Sequence, residues 1–183
     1  MKAVQHRLTY SEFRLLPEDG KRYELINGEV IVTPAPSEKH QRVSMRLASH
    51  LFAFAEQHKL GSVYAAPFEV VLNDRLAFQP DIVFVSAARR HIIGPEYILG
   101  VPDLVVEILS PHRPALDRVT KFEQYAQHGV PEYWIVDPVG ERVEVFRLSG
   151  SDYELRARLS GEQNLESPLF PGWCLSVQAL FAS

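Results

Sequence analysis

Apolar and polar positions divide the chain into segments of two different periods. In residues 37–58, Val43, Leu47, Leu51 and Phe54 recur at helical spacing with Ala48 and Ala55 beside them, which predicts a long amphipathic helix capped by Ser37. A short helix is predicted from Thr9, because Thr9 and Glu12 have capping-box spacing and Phe13 and Leu16 share a face. It should end near Pro17. A third helix is predicted over residues 116–128, turning Val119, Phe122 and Ala126 inward and stopping at Gly129.

The remaining apolar runs read as strands. Residues 23–33 (YELINGEVIVT) form a predicted hairpin around Asn27-Gly28, since both turn residues accept positive φ. Residues 63–72 read as a strand interrupted by Pro67, and residues 78–85 (FQPDIVFV) as another. Residues 87–100 are a polar loop or broken helix carrying the basic run Arg89-Arg90-His91. Residues 103–109 are apolar on nearly every position, as in a central strand covered on both sides. A strand at 133–137 follows, then a meander of residues 142–148 and 153–159 turning at Gly150-Ser151-Asp152. The last stretch has Trp173, Leu175, Val177 and Leu180 to bury. There is no internal repeat.

Two acids break this pattern. Alternation places Asp81, Val83 and Val85 on one strand face, and Asp103, Val105, Glu107 and Leu109 on another. A carboxylate in an apolar strand is costly unless something compensates it. Taken alone, Asp81 reads as a strand-end turn carboxylate, but paired strands would bring Asp81 and Glu107 to one point. Carboxylate oxygens suit a hard ion such as magnesium, which polarises a phosphoryl oxygen and lowers the pKa of bound water. Asp117, Lys121 and Tyr125 follow at four-residue steps on one helical face. Spacing leaves two readings of Lys121 open: a charge beside the acid site, or a partner of Asp117 on a solvated face. Glu24 and Glu29 flank the hairpin turn, where the bland local reading turns both to solvent, and His40 on spacing alone leaves open a surface or cap role, the commoner one, and a site role.

Composition narrows the function classes. The 183 residues suit one domain, and a net charge of −4 argues against a surface coated in basic residues while leaving room for a local phosphate-binding patch. The lone Cys174 excludes a disulfide within the chain and a cysteine zinc cluster; beside Trp173 it reads as a buried structural thiol. No signal-peptide core or membrane-length apolar run is present, so a soluble cytoplasmic protein is expected.

Together, Pro80-Asp81, Glu107 in VPDLVVEILSP, the Asp117–Lys121–Tyr125 series and GVPEYWIVDP resemble the Uma2 family of restriction-type endonucleases, in the PD-(D/E)XK nuclease superfamily. YELINGE, PAPSEKHQ and FQPDIVFV fit the same family in the same order, and the resemblance is close over residues 8–137. It implies one nuclease-like α/β (α+β) domain: a restriction-endonuclease-like, four-strand mixed core flanked by helices, with extra hairpins and a C-terminal meander and tail from residue 138. It implies that Asp81 and Glu107 bind Mg2+ or Mn2+. The superfamily's lysine, two residues after the second acid, is replaced by Leu109, and Lys121 on the following helix takes that role. Glu24 matches an auxiliary acid, His40 a histidine of the first long helix, and Tyr125 a tyrosine that orients Lys121. Asn27 stands where the family often has Asp, and His112 where a second serine is common. The expected activity is metal-dependent hydrolysis of DNA by a homodimer. The alternatives are a nuclease-like fold that binds nucleic acid or protein without turnover, and a metal-free acid/base hydrolase built on His40 and Glu107.

Overall fold

The computed structural model describes residues 7–17, 19–110 and 116–182. Pro111 and His112 of the Ser-Pro break, Glu18 of the first turn and the side chain of Asp117 lie outside that description.

Local signals account for the first elements. Helix α1 (Tyr10–Phe13) starts with the reciprocal capping box: Thr9 Oγ1 accepts from Glu12 N, and Glu12 Oε2 accepts from Thr9 N at 2.7 Å. Strands β1 (Arg22–Ile26) and β2 (Glu29–Thr33) form the predicted hairpin. Asn27 and Gly28 sit at φ 52 and 81, as a primed two-residue turn requires. A Cβ on Gly28 would also lie 2.6 Å from Arg7 Cβ, so this position excludes a side chain twice over. Helix α2 (Glu38–His58) is capped by Ser37 and buries Val43, Leu47, Leu51 and Ala55.

Two sheets carry the architecture. The larger has six strands in the order β11 (Asp152–Ser160), β10 (Arg142–Ser149), β9 (Glu132–Asp137), β8 (Leu104–Ile108), β6 (Ile82–Ser86) and β3 (Gly61–Ala65). It is mixed: β8 runs parallel to β9 and antiparallel to β6. The smaller sheet has the order β2, β1, β5 (Leu76–Phe78), β4 (Glu69–Asn73), β7 (Tyr97–Leu99). Helix α2 and the C-terminal segment, with α4 (Val177–Phe181), cover one face of the larger sheet; Leu47, Leu51, Phe84, Trp134, Phe170 and Leu180 share that core. Its other face meets the smaller sheet and helix α3 (Phe122–Gln127) through Val83, Val105, Tyr133, Tyr125, Phe78 and Ile98. Helix α1 closes the far side, where Phe13 packs with Leu25, Val71 and Ala77. Every residue of β8 is buried, which accounts for its near-continuous apolar sequence. Among the described residues, no helix is long and apolar enough to cross a membrane.

Several expectations need correction. Residues 63–72 are not one strand but β3 and β4, which belong to different sheets. Residues 78–85 likewise divide at Gln79–Asp81, where the chain leaves β5 and enters β6 in the other sheet. The Pro80 ring lacks an N–H for a ladder, so this is a natural place to leave a sheet. The segment after β6 contains a 3-10 helix (Ala87–Ile92) and strand β7, which pairs parallel with β4. The expected four-strand mixed core corresponds to β9, β8, β6 and β3, and the β10–β11 meander extends it at one edge to six strands. Val119 is 52% exposed rather than inward. A π-helical turn (Leu116–Lys121) precedes α3 and shifts the phase that an α-helical count assumes. Cys174 is exposed: Trp173 and Leu175 on either side point inward, so strand-like alternation turns the thiol out.

Candidate active site

The site lies at the end of the space between the two sheets. Asp81 directly precedes β6, and Glu107 is in β8. Their strands pair antiparallel with Ile82 opposite Val106. One step further in this register sets Asp81 across from Glu107, and directly opposed residues of an antiparallel pair share a face. Strand β1 brings Glu24 from the smaller sheet, α2 brings His40, and the π-helical turn and α3 bring Lys121 and Tyr125.

All six side chains are buried. Lys121 Nζ lies 2.9 Å from Glu24 Oε1 and 3.1 Å from Glu107 Oε2, so one ammonium joins acids from both sheets. It also stands 5.8 Å from the centre of the Phe78 ring. Lys121 is only 4% exposed, which rules out the solvated-face reading. Tyr125 donates its hydroxyl to Glu107 Oε1 at 3.0 Å. Burial, then the Glu107 charge, pushes the Tyr125 phenol well above its ordinary pKa, so it remains a donor at neutral pH. Glu24 is buried, not solvent-facing as expected, and Oε1 also accepts from the Gln79 backbone N–H at 3.0 Å. Glu29, on the other side of the hairpin turn, is exposed as expected.

Asp81 and His40 form the other half. Asp81 Oδ2 accepts from Ile108 N at 2.7 Å and lies 3.2 Å from His40 Nε2. Burial opposes a charge on His40, but the hydrogen bond and charge of Asp81 outweigh it, and the imidazole pKa is raised. His40 Nδ1 is buried with no hydrogen-bond partner among the described residues. His40 is therefore part of this cluster rather than a simple cap or surface residue.

Glu24 and Glu107 thus meet the Lys121 ammonium, while Asp81 pairs with His40, and Arg22 lines the same cleft. Among the described residues, no three His, Cys, Asp or Glu side chains converge as a metal cage. A magnesium-type ion does not need one, since it takes one or two carboxylates and keeps several waters. Asp81 Oδ1 accepts no hydrogen bond among the described residues, and Asp81 lines the cleft. Glu107 Oε1 accepts from Tyr125 and Oε2 from Lys121, and hard carboxylate oxygens of this kind are the donors such an ion takes. The donor set therefore fits such an ion.

Sequence reasoning missed Arg22 and Gln79, both of which line the cleft. Arg22 donates from Nε to Gln79 Oε1 at 3.2 Å and from Nη2 to Gln79 O at 3.1 Å. The available signal was weak: Gln79 directly precedes Pro80-Asp81, and Arg22 lies two residues before Glu24 on the same strand face.

A mixed sheet flanked by helices, with acids from paired strands meeting a helix lysine, defines a restriction-endonuclease-like fold. The family model Uma2, described as "Putative restriction endonuclease", matches residues 10–178, and the chain belongs to that family. Five solved chains are similar to it. One, from Anabaena variabilis and described as a "putative nuclease belonging to DUF820", has a TM-score of 0.81 at 24% identity, with 96% of this chain and 98% of that chain covered. No curated protein matches.

Proposed function

We propose that the protein is an endonuclease that uses a divalent metal ion to hydrolyse phosphodiester bonds in DNA. The observation that carries this reading is the buried Lys121, bridging Glu24 and Glu107 beside Asp81 in a cleft. Family membership and the nuclease description of the Anabaena relative support the same reaction class.

Asp81 and Glu107 would hold the ion, Mg2+ or Mn2+. When bound, such an ion polarises a phosphoryl oxygen and favours hydroxide over water. The chain's own residues prepare the rest. Lys121 supplies positive charge near the reacting phosphate, in a buried setting where charge interacts strongly. Glu24 fixes the ammonium from the opposite sheet. Tyr125 fixes Glu107 by holding Oε1, and His40 with Ile108 N fixes Asp81 by holding Oδ2. These contacts keep the acids oriented before substrate arrives. A homodimer would bring two such sites to the two DNA strands, and such an enzyme would work in the cytoplasm.

Supercoiled plasmid tests this reading. Wild type should nick or linearise it in Mg2+ or Mn2+ but not in chelator, and Glu107→Ala and Lys121→Ala should remove that activity. Metal-dependent cleavage unchanged in both variants would overturn the assignment. DNA binding without any cleavage would point to the binding-module alternative.

A further inference from the structure

Arg22 occupies a position that the acid cluster does not explain. It lies two residues before Glu24 on β1, so the two share a strand face, with Ile26 next along it in the inter-sheet core. Along that face the chain runs from buried Ile26 and Glu24 to half-buried Arg22, that is, from the interior to the rim. Arg22 lines the same cleft as Glu24, His40, Asp81 and Lys121.

The guanidinium is held but not used up. Nε and Nη2 both donate to oxygens of Gln79, at 3.2 and 3.1 Å. Nη1 has no partner among the described residues. Gln79 is itself fixed: its backbone N–H donates to Glu24, and its side-chain Nε2 donates to Glu69 Oε1 at 3.2 Å. The cation is therefore oriented in advance, at little entropic cost when a ligand arrives. Among the described residues it pairs with no carboxylate, unlike Arg89, Arg118, Arg142 and Arg147. A fixed guanidinium with open N–H groups, at the rim of an acid-lined cleft, matches the oxygens of a phosphodiester.

We infer that Arg22 is a substrate-binding residue that takes a non-bridging oxygen of a DNA backbone phosphate at the cleft entrance through Nη1. This rests on the nuclease reading for its substrate class. It adds a contact that serves binding and not the chemical step.

The test is binding of a fluorescein-labelled DNA duplex of mixed sequence, followed by anisotropy in Ca2+ across a range of salt concentrations. Each phosphate contact contributes about 0.9 to the slope of log K against log salt. Arg22→Gln should lower the magnitude of that slope by about one and raise Kd roughly 5- to 10-fold at low salt, as expected for losing one phosphate contact. Arg22→Lys keeps the charge but not the fork, so it should keep the wild-type slope with an intermediate Kd; it carries the test if Arg22→Gln does not fold. Arg156→Gln, at a residue paired with Glu154 on β11, serves as the control and should match wild type. An unchanged slope and Kd in Arg22→Gln would overturn the inference while leaving the nuclease reading intact. An Arg22-dependent slope in a protein that never cleaves would uphold the inference and remove the catalytic reading. Absence of DNA binding by wild type would remove both.

Discussion

Replacing Lys121 with Met keeps an unbranched side chain one heavy atom shorter and removes the ammonium. In the native protein the ammonium lies 2.9 Å from Glu24 and 3.1 Å from Glu107, and both acids are almost fully buried. At an effective dielectric near 20, each contact attracts by somewhat more than about 4 kcal/mol. Desolvation of the three ions cancels much of that gain. Removing the ammonium is worse than never building the cluster, because two carboxylates then remain buried without their cation. Breaking a buried ion pair in this way costs about 3–5 kcal/mol, against a total stability of about 5–15 kcal/mol for a typical domain. With a urea m-value of about 2 kcal/mol/M, the midpoint should fall by about 1.5–2.5 M. Urea unfolding at neutral pH, followed by far-UV circular dichroism, measures this. Adding Glu24→Gln to the variant should recover part of the loss, with a coupling of about 1–3 kcal/mol. A loss below about 1 kcal/mol, as for an exposed pair, or additive effects of the two substitutions, would refute the claim that Lys121 is the internal counterion.

Two further outcomes follow from the same contacts. Glu144 is buried under Arg118 and Arg158, at 2.6 and 2.9 Å; burial raises its pKa, but the two guanidiniums outweigh this and hold it below the usual carboxylate value. A depressed folded-state pKa gives stability that is present above the unfolded value and lost as pH falls through the folded one. Glu144→Gln should therefore lower the urea midpoint by the equivalent of roughly 1–2 kcal/mol at pH 7, with the gap closing below about pH 4, and a gap independent of pH would contradict the ion pairs. Tyr125→Phe keeps the ring packing against Phe78 and Tyr133 and removes only the donor to Glu107, so it should cost about 2 kcal/mol in the same assay; a neutral result would mean that the hydroxyl does not hold the acid.

The parts of the fold that could be read from sequence were those fixed by local chemistry. The capping box at Thr9, the Asn27-Gly28 turn and the α2 stripe each carry their structure in a few adjacent residues. The face assignments of Asp81 and Glu107 were also legible, because strand alternation is strict. The division of residues 78–85 between two sheets was not, since Phe78 and Ile82 are equally apolar and only the partner strands tell them apart. Strand β7 escaped because three residues carry too little pattern. Glu24 and His40 looked solvent-exposed on local grounds. Their burial depends on β1 and α2 converging from opposite sides of the site, which no spacing within either element encodes. The exposure of Val119 depends on a π-helical turn that no residue type announces.

The central claim is that Asp81 and Glu107 together hold a divalent ion. Calorimetric titration of Mn2+ into wild type, Asp81→Asn, Glu107→Gln and Lys121→Met tests it most directly, because it needs no knowledge of the DNA target. Saturable binding is predicted for wild type, loss of that binding for each of the two acid variants, and retention for Lys121→Met, which keeps both ligands. Equal Mn2+ binding by wild type and both acid variants would contradict the account.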